Sequence, residues 1–416
     1  MAAAFRSGRA LELRRIDSGG RTRWYRVHIP LSYQPGVPTA VLLGFHGGGG
    51  DARGFAETTE LEGTADRHGF IAVFPEGTGP LGPWVFALLT WNAGNCCGYA
   101  QEHDIDDVGF VRDLLGDLAS HYAIDPNRIF ATGLSNGGMM SYRLGVELAD
   151  RLAAVAPVAA ALGVSRTPQR PIPLIAFHGA LDTNVPWQGG VGSGVSGTDF
   201  MSQSESLAPF VEINQAQPPT GPSQVIGQAQ LYVAAPPETK ADIHYWWLLD
   251  QGHSWPGQPS QINPSEPFNR DVDTNEELWA FFSAHARDRR SIELGSGCCG
   301  SAAIPTLNSS LPVLGKTIVL SGANVAAGVE GELYLSAVPA APSDLGGGCT
   351  AYLDLESAFQ VASLEADSSG AWSVGFPIAY DLALNGVELR AQAVFFDSGA
   401  ALGFELTNGL HLRLGI

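Results

Sequence analysis

Short apolar runs alternate with amphipathic stretches through the first 290 residues. Arg23 to Pro30 and Pro38 to Phe45 read as strands, and Phe70 to Pro75 as a short buried one. Val108 to Leu115 carries apolar residues at helical spacing behind Asp106 and Asp107, whose carboxylates suit a helix start. Arg128 to Thr132 is a further apolar run, and Met139 to Leu144 reads as a helix. Leu148 to Pro157 and Leu174 to Phe177 continue the alternation, Ile243 to Leu249 is apolar, and Glu276 to Ala286 reads as a closing helix. Strand and helix in turn predict right-handed βαβ units and an α/β fold with a mostly parallel sheet. Residues 188–240 break the rhythm with Gly, Ser, Gln and Pro, and read either as a segment covering the site or as a surface excursion.

Beyond residue 290 the period changes. Lys316 to Leu320, Gly331 to Val338, Thr350 to Leu355, Gly370 to Phe376, Val387 to Phe396 and Leu410 to Leu414 are short strand-like runs between turn signals. They predict a β-sandwich. The division expected is a catalytic unit over 1–290, a linker over 291–300 rich in Gly, Ser and Cys, and a β unit over 301–416.

The chemistry gathers at the ends of the apolar runs. Gly133-Leu134-Ser135-Asn136-Gly137 follows one strand and opens a helix. A turn that sharp needs small residues two positions either side of Ser135, and it leaves the hydroxyl exposed near a helix N-terminus. Ser135 is therefore the candidate nucleophile. Val41 to Phe45 runs into His46 and the glycines Gly47 to Gly50, whose amides are free to converge on an oxyanion. Asn136 and Gly48 are the two candidate donors, with Gly47 or Gly49 as alternatives to Gly48. No Lys-Ser/Thr pair follows the glycines, which argues against a phosphate loop. Asp182 follows the strand ending at His178-Gly179, and His253 lies in Gly252-His253-Ser254-Trp255-Pro256-Gly257. Ser, Asp and His stand in the chain order of an α/β-hydrolase triad. Asp199 and Asp250 compete for the acid, and His46, His178 and His244 for the base. Trp255, Trp187 and Trp91 flank these residues and are candidates for substrate contact, with core packing as the alternative.

Residues from about 20 to 287 resemble the extracellular esterases of the polyhydroxybutyrate depolymerase family, which includes feruloyl and acetylxylan esterases. The matching pieces are Phe45-His46-Gly47-Gly48-Gly49, Phe74-Pro75-Glu76-Gly77, Trp91 to Gly98, Asp106 to Phe110, Ile124 to Ile129, the Ser135 turn, His178-Gly179 with Asp182, and Gly252 to Gly257. The resemblance implies an α/β-hydrolase fold and a secreted serine esterase acting on aryl or acyl esters of plant cell-wall polysaccharides, or else a polyester depolymerase. It implies no cofactor and no metal. Many relatives carry two further cysteines whose matching positions are Ala216 and Ala234 here, so that family disulfide is absent. The tail resembles, more loosely, small C-terminal domains of bacterial secreted proteins, and is read either as a polymer-binding module or as a stabilising appendage. A non-catalytic binding protein and a peptidase are the rival classes. The intact Ser, Asp and His argue against the first, and nothing resembles a peptide-binding domain.

Composition narrows the partners. Twenty-three Lys and Arg against 42 Asp and Glu give a formal charge of −19, which disfavours nucleic acid and anionic membrane surfaces. The tail shares this bias, with Lys316, Arg390 and Arg413 as its basic residues. No apolar run reaches the eighteen residues a membrane span needs. Met1 to Ala10 lacks the apolar core of a signal peptide, so a secreted protein would be represented here by its mature form or by a form with a replaced start. The five cysteines, Cys96, Cys97, Cys298, Cys299 and Cys349, lack metal spacing and are read as disulfide chemistry in an oxidising compartment.

Overall fold

The computed structural model describes residues 11–414 apart from 82–87, 235–240, 261–262, 264, 287–289, 299–302, 311, 313–316, 338–341, 380–383 and 385–386. The chain divides into two units, Met1–Arg287 and Asp288–Ile416.

In the first unit, β1 (Glu12–Ser18) and β2 (Arg21–His28) form a hairpin. There follow β3 (Thr39–Phe45), α1 (Ala52–Thr59), α2 (Leu61–His68), β4 (Ile71–Pro75), α3 (Gly98–Glu102), α4 (Asp107–His121), β5 (Ile124–Leu134), α5 (Asn136–Glu147), β6 (Ala154–Val158) and β7 (Leu174–Gly179). A short pair, β8 (Gly190–Val191) and β9 (Asp199–Phe200), leads to α6 (Gln203–Asn214), β10 (Gln224–Ile226), β11 (Ala229–Ala234), β12 (Ile243–Leu248) and α7 (Thr274–Ser283). Ten strands form one sheet in the order β1-β2-β4-β3-β5-β6-β7-β12-β11-β10. The six from β4 to β12 in that order run parallel, and antiparallel strands close both margins.

Every residue of β3, β4, β6 and β7 is buried, as strands covered on both faces require. The period of two divides β3 between the two cores. Val41 and Leu43 face Phe110, Leu114 and Leu144 of α4 and α5, whereas Leu42 lies in the cluster with Phe55, Leu278 and Phe282 of α1 and α7. This large, mostly parallel sheet with helices on both faces fits an α/β-hydrolase. It matters for chemistry because the parallel strands all end at one edge, where the loops carrying Ser135, Asp182 and the glycines begin.

One expectation needs correction here. Residues 188–240 are not an irregular excursion: the described part holds α6, whose Phe210 is in the core, and β10 and β11, which extend the main sheet. Asp106 and Asp107 open α4 as expected, Asp106 as its N-cap and Asp107 in its first turn. Asp106 accepts the Gly109 amide at 2.8 Å, but Asp107 is fully buried, pairs with Arg23 at 2.6 Å and accepts the Asn92 amide at 2.8 Å. Burial pushes the Asp107 carboxyl above the usual carboxylate range, against the pull of Arg23, the Asn92 amide and Arg143.

In the second unit the described residues form strands and no α-helix. Arg290–Leu294, Gly409–Arg413, Glu388–Phe395, Glu330–Ser336 and Phe359–Glu365 lie side by side in an antiparallel sheet, with Glu405–Leu406 pairing onto Glu388–Phe395. Asn308–Ser309, Thr317–Gly322 and Trp372–Pro377 form a second sheet. Ile318 and Leu320 of the second sheet share one apolar core with Leu333, Phe395 and Leu410 of the first. The expected linker 291–300 is different in kind: Arg290–Leu294 pairs with Gly409–Arg413, and Cys298 bridges the backbone of Leu406. Cys298 is disulfide-bonded to Cys349, and Cys96 is bonded to Cys97; Cys299 lies outside the described residues.

Candidate active site

Ser135 sits at the turn between β5 and α5 with φ 56° and ψ −123°, a region L-residues rarely occupy. The neighbouring glycines make that conformation reachable. A Cβ at Gly133 would meet the Gly137 carbonyl carbon at 2.5 Å, and a Cβ at Gly137 would collide with the Phe45 carbonyl and meet that of His46 at 2.5 Å. The turn therefore presses the end of β5 and the start of α5 against the end of β3, and lifts the Ser135 hydroxyl out of the sheet edge.

The structure brings Ser135, His253 and Asp182 together. His253 Nε2 lies 2.9 Å from Ser135 Oγ, and His253 Nδ1 lies 2.8 Å from Asp182 Oδ2. The other oxygen of Asp182 accepts the amides of Asn184 and Val185, both at 2.9 Å. These bonds fix the carboxylate, which in turn fixes the imidazole. Burial alone would raise the Asp182 carboxyl, but the charge and hydrogen bond of His253, with His178 and the Val185 amide, hold it below the usual carboxylate range. For His253, burial disfavours the imidazolium, yet the charge and hydrogen bond of Asp182 and the charge of Glu266 outweigh it and raise the group above 6.5.

Glu266 is a residue that sequence reasoning misses. Its carboxylate accepts the backbone amide of His253. A Cβ at Gly252 would collide with the Glu266 side chain, so the glycine admits the carboxylate to the His253 loop. Glu266 lies in a Pro-rich segment whose sequence gives no sign of this approach.

The glycine loop faces the turn from the other side. A Cβ on Gly47 would lie 3.7 Å from Ser135 Cβ, and one on Gly48 would lie 3.6 Å from Asn136 Cβ. The Gly49 amide is taken by the Leu89 carbonyl at 2.7 Å, whereas the Gly48 and Asn136 amides make no hydrogen bond among the described residues. Asn136 opens α5, where the first amides have no intrahelical acceptor. Two unpartnered donors thus lie on the two segments that meet beside Ser135. A cavity of about 440 Å³ opens here, walled by Phe55, Thr58, Leu134, Trp255 and Pro259 beside the glycines and His253. A larger cavity of about 1180 Å³ beyond Trp255 touches none of the three residues of the Ser–His–Asp chain.

The tryptophans fall into three different settings. Trp255 is buried, stacks edge-on to Phe55 with centroids 5.6 Å apart, and walls the Ser135 cavity. Trp187 is 39 % exposed, packs edge-on to Trp247 and does not line that cavity. Trp91, expected to touch substrate, is fully buried behind the glycine loop and offers substrate no surface. Its indole donates to the His46 carbonyl at 3.0 Å. The rival histidines and Asp250 have other partners, and Asp199 lies in β9, away from His253 Nδ1, which Asp182 occupies. His46 bonds the Gly47 carbonyl and the Gly77 amide, and burial pushes it down to about 4. His178 donates to the Val185 carbonyl, His244 packs on Phe281, and Asp250 accepts from Asn269. Among the described residues no group of three or more His, Cys, Asp or Glu is placed to hold a metal ion, and no helix is long and apolar enough to cross a membrane.

No family model matches the chain. It is 32 % identical over 197 residues to feruloyl esterase B of Piromyces equi, an alignment covering 45 % of this chain and 35 % of that protein. It is 27 % identical over 291 residues to the bifunctional acetylxylan esterase/xylanase XynS20E of Neocallimastix patriciarum, covering 69 % and 36 %. It is 26 % identical over 267 residues to feruloyl esterase D of Neurospora crassa, covering 64 % and 82 %. The chain thus spans little more than a third of the length of the first two relatives.

Proposed function

We propose that this chain is a serine carboxylic ester hydrolase acting on aryl or acyl esters of plant cell-wall polysaccharides, with Ser135, His253 and Asp182 as its triad. The observation that carries the reading is the continuous hydrogen-bonded chain from Ser135 Oγ through both nitrogens of His253 to Asp182. Similarity to two feruloyl esterases and an acetylxylan esterase supports the substrate class. The 440 Å³ cavity with aromatic and aliphatic walls has room for an aryl acyl group. The Cys298–Cys349 disulfide supports a protein that works in an oxidising, extracellular setting.

In this reading Ser135 Oγ attacks the ester carbonyl while neutral His253 Nε2 takes its proton. Asp182 holds the tautomer with the proton on Nδ1 and stabilises the imidazolium that forms. The carbonyl oxygen, now charged, receives the Gly48 and Asn136 amides. Collapse expels the alcohol, which leaves with the proton from His253. Water then attacks the acyl-enzyme by the same route, and the acid departs with Ser135 restored. No step calls on a cofactor.

The test is covalent. A fluorophosphonate should label the protein at Ser135, and Ser135→Ala should abolish labelling and cut ester turnover by roughly 10³-fold or more. Labelling that survives in the variant overturns the assignment. Methyl ferulate, acetylated xylan and emulsified polyhydroxybutyrate, assayed in parallel, decide the substrate class. Turnover of the polyester alone would replace the cell-wall reading with a depolymerase.

A further inference from the structure

A buried tryptophan joins the two halves of the anion-receiving site. Trp91 lies in the loop between β4 and α3 and touches both the glycine loop and the start of α5. Toward α5, its backbone amide donates to Asn136 Oδ1 at 2.7 Å and its carbonyl accepts from Asn136 Nδ2 at 3.0 Å. Asn136 is therefore clipped at both ends of its amide group. Toward the glycine loop, the Trp91 indole donates to the His46 carbonyl at 3.0 Å, and the ring packs on Phe45 and His46 with centroids 5.1 and 5.0 Å apart. Two residues earlier, the Leu89 carbonyl holds the Gly49 amide at 2.7 Å.

Peptide planarity turns these contacts into control of one particular donor. In a trans peptide the C=O and the following N–H point in opposite directions, so fixing one fixes the other. The Gly77 amide can only donate, so His46 Nε2 accepts it at 3.0 Å and the ring proton sits on Nδ1. That proton is donated to the Gly47 carbonyl at 2.8 Å, which the Gly50 amide also reaches at 3.1 Å. The Gly47 carbonyl is thus held on one side, and the Gly48 N–H is turned to the other. The peptides on either side are held as well, His46–Gly47 by the Trp91 indole and Gly48–Gly49 by the Leu89 carbonyl. A run of consecutive glycines would otherwise sample many orientations.

We propose that Trp91 is a positioning residue that fixes the Gly48 and Asn136 amides relative to each other, so that both meet the oxyanion at once. The proposal rests on the esterase reading of Ser135. It assigns Trp91 no contact with substrate, only the register of two donors that lie on separate segments of chain. A preorganised pair stabilises charge without reorganising at the moment of reaction, and a displaced donor forfeits much of that.

The experiment compares an aryl ester with its thionoester, which differs only in the atom that becomes the anion. Sulfur is larger and a weaker acceptor, so the donors favour the oxygen ester. Trp91→Phe keeps the ring and the backbone clip but deletes the indole donor. The expected result is a kcat on the oxygen ester about 10- to 100-fold lower, with KM within about twofold, and a smaller rate ratio of ester to thionoester. All rates are referred to sites titrated with fluorophosphonate, and the acidic limb of the pH profile should not move. If Trp91→Phe does not fold, Asn136→Ala cuts the other end of the brace and is read by the same ratio. A folded variant with an unchanged ratio overturns the proposal, because partial misfolding or a merely structural role lowers both rates alike. Failure of the wild type to be labelled at Ser135 overturns the esterase reading itself, and is seen before any variant is assayed.

Discussion

His253 stands between two carboxylates, Asp182 on its ring and Glu266 at its backbone amide. Burial opposes the imidazolium, and the two charges more than offset it, so the group titrates above 6.5. In the proposed mechanism the base must be neutral, so turnover should be lost as pH falls through that raised value, and the acidic limb of kcat/KM should lie above the ordinary histidine value. Glu266→Gln keeps an acceptor for the amide but removes the charge. Its limb should move to lower pH while kcat on the plateau changes little, as a kcat/KM profile would record. A limb that stays in place would mean that Glu266 acts only as a hydrogen-bond acceptor. At this scale the sequence is readable where chemistry coincides with a strand end. Ser135, Asp182 and His253 each follow an apolar run, and parallel strands deliver such ends to one edge. Glu266 and the bracing contacts of Trp91 are not readable, because their meaning comes from segments that meet only in the fold. Asp107 is read correctly as part of a helix start, but its buried pairing is not readable, since its partner Arg23 lies 84 residues away.

Elements repeat the lesson with periodicity in place of chemistry. Strongly apolar strands such as β3 and β4 are readable because both faces are buried. The hairpin strand β1, with Arg14 and Arg15 in a half-exposed run, has no such signal. Helix α6 is hidden by Pro209 in its interior, although Ser202 and Glu205 spell a capping box that marks its start. In the second unit most strand runs are visible as short apolar bursts, but Phe359–Glu365, largely exposed, is not. The junction of β5 and α5 shows how little freedom an element boundary has. Gly137→Ala drives a methyl into the Phe45 and His46 carbonyls, and should cost at least about 3 kcal/mol or abolish folding. Gly116→Ala is its control: the site is exposed on α4, with nothing within 4 Å of the added methyl, and the change should stabilise by up to about 1 kcal/mol. Urea midpoints of the two variants check both signs. Equal effects would mean that backbone entropy, and not the packing of the turn, governs these glycines.

At the scale of the whole molecule, two apolar cores of the first unit clasp one sheet, and a separate core closes the second unit. The second unit also carries its own covalent tie, since Cys298 and Cys349 close a loop across a sequence separation of 51. A cross-link over that span restricts the unfolded chain and is worth about 4 kcal/mol in the chain-entropy account. Its loss should fall on the second unit alone. Calorimetry of the intact protein should then resolve two transitions, and Cys349→Ser should lower one of them while leaving the other, and turnover of a small soluble ester, unchanged. Residues 1–287 alone should fold and hydrolyse the same ester within about twofold of the full chain, because the Ser–His–Asp chain and its supporting loops lie wholly inside that span. The substrate then separates two roles for residues 288–416. If they hold polymer, truncation reduces turnover on insoluble substrate far more than on the small ester, through lost effective concentration at the surface. If they only stabilise, both rates fall together and the melting temperature falls with them. A soluble-ester rate that collapses when Cys349 is changed would overturn the division itself, since it would tie the chemistry at Ser135 to a bond between two distant residues of the other unit.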